Sequence, residues 1–177
     1  MHESSYKNME IFAEKYLTKF RNNKISILDV GSQDVGGEGG GSYKNIFGNK
    51  NWKYVGADMK KGNNVDIVIK DVYRWKEIDS NSFDVVVSGQ AFEHVEYFWL
   101  TMKEVKRVLK KDGLCCIIAP SSGPEHKYPL DCWRFYPDGF KALAKYAEME
   151  TLESYLDDSN SVWRDCVLIC RKTKDKG

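Results

Sequence analysis

The stretch ISILDVGSQDVGGEGGGS, residues 25–42, decides the fold of this chain. It begins with a short apolar run, Ile25 to Val30, that is rich in β-branched residues and ends abruptly at a glycine-rich loop. This pattern predicts a buried strand followed by a flexible turn. Because glycine has no Cβ, such a turn lets the backbone approach a ligand closely.

Asp29 lies near the end of the predicted strand, just before Gly31. A carboxylate there can hold the amides of the loop or accept hydrogen bonds from a cationic ligand. A turn with a capping aspartate explains these residues equally well. The loop lacks the glycine spacing of the dinucleotide fingerprint, and no Gly-Lys-Ser/Thr follows it. The sequence therefore favours a nucleoside ligand of lower charge.

The length of 177 residues predicts one domain, which we expect to span residues 1–177 and to bury a core without disulfides or metals. Lys plus Arg number 27 against 26 Asp plus Glu, so nucleic acid is not a favoured partner. No apolar run is long enough for a membrane span or a secretory leader, which predicts a soluble, cytoplasmic protein without membrane contact. The cysteines form no CxxC or CxxH pair, and we interpret them all as small core residues.

Hydrophobic periodicity predicts alternating strands and helices. An apolar stripe predicts an N-terminal helix over residues 5–21, capped by Ser4 or Ser5, ahead of a core over residues 25–171. The other predicted elements are strands at 25–30, 52–57, 65–69, 82–88, 114–119, 150–156 and 162–171, and helices at 43–47, 97–110 and 137–146. Strands separated by helices imply a parallel sheet, whereas the last two strands, joined by a turn at 157–160, predict an antiparallel hairpin.

Polar residues follow several of the predicted strands. Asp58 ends the second strand, where nucleoside-binding α/β folds place a carboxylate for the ribose hydroxyls. Asp71 follows the third strand, and the polar residues 88–90 follow the fourth. We expect them at the carboxyl edge of the sheet, where open α/β sheets bind ligands.

The segment PSSGPEHKYPLDCWRFYPDGF, residues 120–140, interrupts the alternation of strands and helices. It is dense in prolines, aromatic residues and charged residues, which an ordinary turn does not need. A long polar and aromatic loop at this edge of a parallel sheet is a candidate substrate site. Trp133 and Tyr136 could stack on a sugar or a ring, and a core role for Trp133 is equally compatible with its sequence position.

Several strings of this sequence resemble the class I S-adenosylmethionine-dependent methyltransferases: ILDVGS, FDVVVSGQAFEHV, and the acids Asp58 and Asp71. The likeness extends from about Ile25 to Cys170. More narrowly, GSQDV, QAFEH, FWL and HKYPLDCWRFYPDGF resemble a group of methyltransferase type 11-like proteins. The resemblance implies an α/β fold with a Rossmann-like, seven-stranded, mostly parallel sheet, helices on both faces and a C-terminal antiparallel hairpin.

The resemblance also implies which residues hold the cofactor, S-adenosyl-L-methionine. Asp29 and the backbone around Gly31 would hold the methionine end, Asp58 the ribose, and Asp71 with the amide of Val72 the adenine. The implied cofactor residues are Asp29, Gly31, Ser32, Gln33, Asp58, Met59, Asp71, Val72, Ser88, Gly89 and Gln90. A sulfonium cofactor carries no phosphate, which agrees with the missing Walker lysine. The loop departs from the family pattern, because its other glycines follow only after several intervening residues.

Methyl transfer from a sulfonium is an in-line displacement, so the protein mainly aligns the acceptor and excludes water. If the acceptor is a hydroxyl, a base helps to take its proton. His126 is the first candidate because it lies in the unusual loop, and His94 and Asp131 are the others. His94 could instead support the pocket wall, and the same alternative applies to Glu93. Arg134 could bind an anionic group of the substrate or pair with Asp131.

These observations lead to one preferred function and two alternatives. We expect methyl transfer to a small-molecule or sugar-like acceptor at oxygen, with substrate contacts from Tyr128, Trp133, Arg134 and Tyr136. We predict no metal site, because His126 and Asp131 lack a third ligand at a recognised spacing. The alternatives are a cofactor-binding subunit that needs a partner and a nicotinamide-dependent oxidoreductase, although the missing fingerprint disfavours the latter. A homo-oligomer is compatible with the sequence.

Overall fold

A computed structural model describes residues 3–36 and 42–173, so glycines 37, 39, 40 and 41 of the predicted loop lie outside the described residues. The strands within those ranges are β1 (Ile25–Val30), β2 (Trp52–Asp58), β3 (Ile67–Val68), β4 (Phe83–Gly89), β5 (Leu109–Pro120), β6 (Met149–Leu156) and β7 (Asp165–Lys172). They form one seven-stranded sheet in the order β3-β2-β1-β4-β5-β7-β6. Strands β1 to β5 pair in parallel, whereas β7 pairs antiparallel with β5 and β6. The predicted mixed sheet with its C-terminal hairpin is confirmed.

Three α-helices accompany the sheet in the described ranges: α1 (Glu3–Phe12), α2 (Phe98–Val108) and α3 (Pro137–Tyr146). Helix α1 continues through a π-helical turn, Ala13–Leu17, and a 3₁₀ turn, Thr18–Phe20, which together cover most of the predicted N-terminal helix. Short 3₁₀ turns also occur at Tyr43–Asn45 and Phe92–His94. None of the helices in the described residues is long and apolar enough to cross a membrane.

Neighbouring side chains of the central strands point to opposite faces of the sheet, and each face is covered. Ile27 and Leu28, adjacent in β1, belong to two separate buried clusters. Ile27 packs in the cluster that contains Met9 of α1, and Leu28 in the cluster that contains Met102 of α2 and Phe140 of α3. All five side chains are fully buried, and each contributes about 1.5–3 kcal/mol of burial free energy. Helices therefore cover both faces, as predicted.

Helix α1 is held by hydrogen bonds to distant parts of the chain. Ser4 donates to the Asp165 carboxylate over 2.6 Å, and Ser5 lies 2.6 Å from the Tyr43 hydroxyl oxygen. The prediction that one of these serines caps the helix is wrong, because the helix already includes Glu3 and both serines are buried within it. Their hydroxyls serve tertiary contacts instead.

The same helix reaches the C-terminal hairpin a second time, through Asn8. Its amide nitrogen donates to the Asp157 carboxylate over 2.5 Å, and its amide oxygen accepts a 3.0 Å hydrogen bond from the Tyr155 hydroxyl. Buried polar side chains that are fully paired specify one docking position. The first helix of the chain is therefore fixed to its last strand pair.

Two strands are shorter than predicted, because side chains replace the ladder hydrogen bonds at their ends. β3 begins after Asp66, whose carboxylate accepts the backbone N–H of Gly56 over 2.8 Å. β7 begins at Asp165 and not at Val162, where the sequence predicts its start. The backbone N–H of Val162 donates to the Asn160 side chain over 3.0 Å instead. The turn between the hairpin strands is correspondingly longer than residues 157–160.

The boundary between α2 and β5 also differs from the prediction. Helix α2 ends at Val108 and β5 begins at Leu109, whereas the sequence pattern predicts a helix to residue 110 and a strand from 114. Asp112 adopts a left-handed φ of 61°, and the pairing of β5 with β4 shifts register in this region. The residues that predict a helix stop therefore form an irregularity inside the strand.

Four of the five cysteines are buried in the sheet, and Cys132 is exposed in the segment 120–140. The interpretation of every cysteine as a core residue is therefore wrong for Cys132. Its neighbours in sequence give no apolar period from which its exposure could be judged.

Candidate active site

The carboxyl ends of β1, β2 and β4 meet at one edge of the sheet, and a cleft of about 540 Å³ opens there. Small-molecule sites in proteins have roughly this size. The cleft is lined by Val30, Gly31, Gln33, Val35, Ala57, Asp58, Met59, Lys60, Ile69, Val72, Trp75, Gly89, Gln90, Ala91, His94, Val95, Thr101, His126, Lys127, Tyr128 and Pro129. Twelve of these 21 residues are apolar or glycine, and the other nine carry polar side chains.

The loop after β1 makes a tight turn at Gly31, which has a left-handed φ of +79°. The N–H groups of Gly31 and Ser32 both donate to the carbonyl of Ala57, over 2.9 and 3.2 Å, and so tie the turn to β2. A Cβ at position 31 would lie 2.5 Å from the Cβ of Ala91. Both its conformation and the available space therefore require glycine here.

Asp29 is buried beneath this turn, and its carboxylate accepts a hydrogen bond from the Tyr54 hydroxyl over 2.5 Å. Burial raises the pKa of Asp29 to about 7, although the Tyr54 hydrogen bond acts in the opposite direction. Asp29 lines a smaller cavity of about 50 Å³, which shares Gly31 and Gln33 with the main cleft. The predicted methionine-end residues thus lie together.

Asp58 ends β2 and presents its carboxylate in the main cleft, beside Met59. One carboxylate oxygen accepts the N–H of Gln33 over 3.1 Å, and the other accepts the N–H of Lys60 over 3.4 Å. The loops after β1 and β2 are therefore joined through this carboxylate. Gln33 and Met59 line the cleft on either side of that link.

Two predicted cofactor residues have local structural roles instead of a place in the cleft. Asp71 is exposed and its carboxylate accepts the N–H of Tyr73 over 2.9 Å, which fixes a turn. Ser88 is buried and donates to the carbonyl of Val30 over 2.8 Å, which ties β4 to β1. Val72, which follows Asp71, does line the cleft.

Gly89 and Gln90 line the cleft at the end of β4, as expected from the sequence. A Cβ on Gly89 would overlap the Tyr43 side chain, so glycine is required at this position too. Gln90 adopts a left-handed φ of 55° and its amide donates to Asp165 over 2.9 Å. This contact connects the cleft to the first residue of β7.

His94 and His126 meet in the wall of the cleft, with ring centroids 4.9 Å apart. His94 Nδ1 lies 2.6 Å from the carbonyl oxygen of Leu130, so Nδ1–H donates and Nε2 is left as an acceptor. Burial lowers the pKa of His94, which favours the neutral ring. Two residues predicted as candidate bases are therefore adjacent.

Glu93, immediately before His94, is completely buried. Among the described residues, no other residue donates a hydrogen bond to either of its carboxylate oxygens. Burial raises the pKa of Glu93 to about 8. His94 Nε2 lies 3.6 Å from the Glu93 Oε1 atom.

Asp131 lies behind His126 and is paired with Arg134. Its two carboxylate oxygens accept hydrogen bonds from the Arg134 guanidinium over 2.6 and 2.8 Å. One of them also accepts a hydrogen bond from the backbone N–H of His126 over 2.7 Å. The Arg134 hydrogen bonds hold the pKa of Asp131 well below its usual range. The internal Arg134–Asp131 pair, one of the two sequence-based interpretations, is the one present in the structure.

Of the four predicted substrate residues, only Tyr128 lines the cleft. The Trp133 indole N–H donates to the carbonyls of Val95 and Glu96, both at 3.1 Å, and its ring packs against neighbouring aromatic residues. Tyr136 is 61% exposed, immediately before α3, and does not line the cleft. Arg134 does not line the cleft either, and its guanidinium group is hydrogen-bonded to the Asp131 carboxylate.

Sequence reasoning missed several lining residues, above all Trp75 and Thr101. Thr101 is 2% exposed and donates to the carbonyl of Val72 over 3.0 Å. A polar residue beside the apolar stripe of α2 is a weak signal that could have identified it. Lys127 and Pro129, also missed, lie in the loop string that includes His126.

Residues 34–117, just under half of the chain, match the family described as a methyltransferase domain, Methyltransf_11. The matched residues run from the loop after β1 into β5, and the match indicates an S-adenosylmethionine-dependent methyltransferase. The chain is a methyltransferase with S-adenosylmethionine as its cofactor, as the resemblance of its sequence motifs implies. The family match favours methyl transfer over the nicotinamide-dependent alternative.

Solved structures similar to this methyltransferase include 1,6-didemethyltoxoflavin-N1-methyltransferase of Burkholderia thailandensis, with its ligand and S-adenosylhomocysteine bound, at 14% identity and a TM-score of 0.73. That match covers 97% of this chain and 80% of that one. The CurJ carbon methyltransferase matches at 13% identity and a TM-score of 0.69, over 95% of this chain and 55% of that one.

A third similar chain belongs to the complex between the Haloferax volcanii Trm112 methyltransferase activator and its methyltransferase partner, at 12% identity and a TM-score of 0.64. This match covers 97% of the present chain and 94% of that one. At such identities each likeness shows the fold alone. No curated protein sequence matches the chain significantly.

Proposed function

We propose that this methyltransferase transfers the methyl group to a hydroxyl of a small-molecule or sugar-like acceptor, in the cleft at the carboxyl edge of the sheet. The observation that carries the proposal is the lining of this one cleft. It combines the loops after β1 and β2 with the facing rings of His94 and His126. A cofactor on those loops and an acceptor at the histidines would share a single enclosed space.

The residues present fit the cofactor. Asp58 offers a carboxylate for the ribose hydroxyls, and Gly31 keeps the loop free of a Cβ where contacts between the backbone and the ligand are expected. Asp29 lines the small cavity beneath the loop, where its carboxyl group can accept a hydrogen bond from the ammonium group of the methionine end. When bound, the cofactor supplies an electrophilic methyl group on its sulfonium. The apolar lining excludes water from the transfer.

His126 is the residue that we assign to the acceptor proton. Asp131 lies 3.4 Å from its Nδ1 and is paired with Arg134, so a proton on Nδ1 would face this carboxylate and Nε2 would be the atom that accepts the substrate proton. Asp131 itself is a positioning residue, because it acts through His126. The neutral ring of His94 supports the same wall. A hydroxyl of the acceptor would donate to His126 while its oxygen attacks the methyl group.

The proposal is tested in two steps with the full chain. S-adenosylhomocysteine binding is measured by calorimetry, and turnover is then measured as S-adenosylhomocysteine formation with a panel of phenols, catechols and sugars. His126→Asn should lower kcat by about 10²- to 10⁴-fold with little change in cofactor affinity, since it removes a general base. Glu125→Gln, an exposed neighbour, is the matched control. Equal turnover by both variants would refute the role of His126.

A second candidate is a methyltransferase that needs a protein partner to complete its acceptor site. The observation that favours it is an aromatic surface formed by Tyr73, Tyr97, Trp99 and Trp133, in which Tyr97 is 49% and Trp133 40% exposed. Exposed aromatic clusters are common at interfaces. Turnover by the isolated monomeric chain, with its mass checked by light scattering, would exclude this candidate.

A further inference from the structure

Glu93, His94 and His126 form a cluster that the methyl-transfer chemistry does not fully use. One potential ligand atom from each residue lies within 4.8 Å of the other two. Two of the residues come from the turn after β4 and the third from the loop after β5, so only the fold brings them together. We propose that these three side chains bind a divalent transition-metal ion of the Zn²⁺ type in the wall of the cleft.

Glu93 provides the first argument, because its carboxylate is completely buried and receives no hydrogen bond from another described residue. A buried polar group without a partner is costly, and such a group in a folded protein calls for an explanation. Arg134, a nearby guanidinium, donates to both oxygens of Asp131 instead. A metal ion would supply the positive charge and the bonds that Glu93 lacks.

The second argument is the orientation of the two histidines. His94 donates its Nδ1–H to the carbonyl of Leu130, which leaves the Nε2 lone pair on the side of Glu93. The Nδ1 of His126 faces the carboxylate of Asp131 at 3.4 Å. Metal-binding histidines typically donate their second ring nitrogen to a carbonyl or a carboxylate in this way. The His94 ring therefore has the hydrogen bond that is typical of a metal ligand, and the His126 ring has a carboxylate within ion-pair distance of its Nδ1.

Distance and ligand type agree with such a site. A tetrahedral Zn²⁺ with bonds of about 2 Å holds its ligand atoms roughly 3.3 Å apart. The cluster is only moderately wider than this, at up to 4.8 Å, so small side-chain rotations would close it. Two imidazoles and one carboxylate suit zinc and other borderline ions, and three protein ligands leave a coordination position open.

The open position would face the cleft, because His94 and His126 both line it. An oxygen of the methyl acceptor could occupy that position, which favours acceptors with a hydroxyl next to a second oxygen, such as catechols, vicinal diols or hydroxy acids. This assignment of the acceptor class rests on the proposed methyl transfer, whereas the metal site does not. With the metal bound, His126 would be a ligand, and the metal would lower the pKa of the acceptor hydroxyl in place of the base. The proposed site departs from the sequence-based expectation of no metal, which rested on ligand spacing along the chain and on a methyl transfer that does not require an ion.

The test uses tag-free protein that has been treated with a chelator and dialysed. Zn²⁺ is titrated by calorimetry, and Co²⁺ by its visible absorption, without cofactor or acceptor. The wild-type chain should bind one equivalent, and Glu93→Gln and His126→Asn should each weaken binding at least tenfold. Glu125→Gln and Cys132→Ser should bind like the wild type; the second control matters because Cys132 is an exposed thiol.

Folding and cofactor binding are checked on the same samples, by circular dichroism and by S-adenosylhomocysteine titration. If Glu93→Gln fails to fold, Zn²⁺ binding by His126→Asn, in the loop after β5, tests the site. Absence of stoichiometric Zn²⁺ binding by the wild type would overturn the metal site, as would loss of binding in Cys132→Ser but not in His126→Asn. A chain that binds S-adenosylhomocysteine but no Zn²⁺ would leave the proposed function standing.

Discussion

Replacing Asp29 by asparagine should change how the stability of the cofactor-free protein depends on pH. Burial raises the pKa of Asp29 to about 7, from an ordinary value of 3.8. Between these two pH values the folded chain keeps a proton that the unfolded chain has released. The free energy of unfolding contributed by this group therefore falls as the pH rises through that range.

The size of the effect follows from the separation of the two pKa values. One group contributes a slope of at most about 1.4 kcal/mol per pH unit, and the full range corresponds to roughly 4 kcal/mol. The Tyr54 hydroxyl already stabilises the charged carboxylate, since its hydrogen bond lowers the pKa of Asp29. Tyr54→Phe should therefore extend the decline to higher pH.

Urea unfolding at several pH values from 4.5 to 7.5 measures this dependence. Because an asparagine side chain cannot titrate, the stability of Asp29→Asn relative to the wild type should increase steadily with pH. Tyr54→Phe keeps the carboxylate, so its free energy of unfolding should fall with pH as in the wild type, and the fall should continue to higher pH. Parallel curves for the wild type and Asp29→Asn would show that Asp29 stays ionised in the fold, and would refute the reasoning from burial.

Four further substitutions, one of them a control, test the site and the docking of α1. Gly31→Ala should destabilise the protein by about 2 kcal/mol or more, because Gly31 has a left-handed φ and the added Cβ would clash with Ala91. Gly139→Ala, in α3 with open space around it, should instead stabilise the protein by about 0.5–1 kcal/mol. Thermal or urea unfolding measures both. Asp58→Ala should weaken S-adenosylhomocysteine binding about 10- to 100-fold by calorimetry, through lost charged hydrogen bonds, and unchanged affinity would contradict its ribose role. Ser5→Ala should cost about 1–3 kcal/mol in urea unfolding, since it leaves the buried Tyr43 hydroxyl without its partner, and a neutral result would show that the serine does not dock the helix.

The sequence predicted those parts of the fold that depend on repeated apolar patterns. β1 and β4 are short, mainly apolar strands with buried side chains on both faces, so their position and parallel arrangement could be inferred from the local pattern. The ends of β3 and β7 could not, because they depend on single side chains, Asp66 and Asn160, that take over backbone hydrogen bonds. Nothing in the local sequence distinguishes those residues from ordinary loop polar groups.

The same distinction applies to the candidate site. Gln33, Asp58 and His126 follow strands of a parallel sheet, and topology alone brings such residues to one edge. Trp75 lines the cleft by tertiary packing of a segment without a strand or helix, which no motif predicts. The cluster around Glu93 depends on contact between segments more than thirty residues apart in sequence, so spacing rules could not indicate it.

The docking of α1 on the C-terminal hairpin has a consequence for synthesis of the chain. Ser4 and Asn8 are synthesised well before their partners, Asp165 and Asp157, from which they are separated by about 150 residues or more. Contacts between residues so far apart in sequence form slowly, because a long loop must close before the contacts can stabilise the docked helix. Until β7 is complete, the apolar stripe of α1 has only part of its final surface to cover. A nascent chain paused before that strand would be a substrate for chaperones, and premature termination there would release a protein with its first helix undocked.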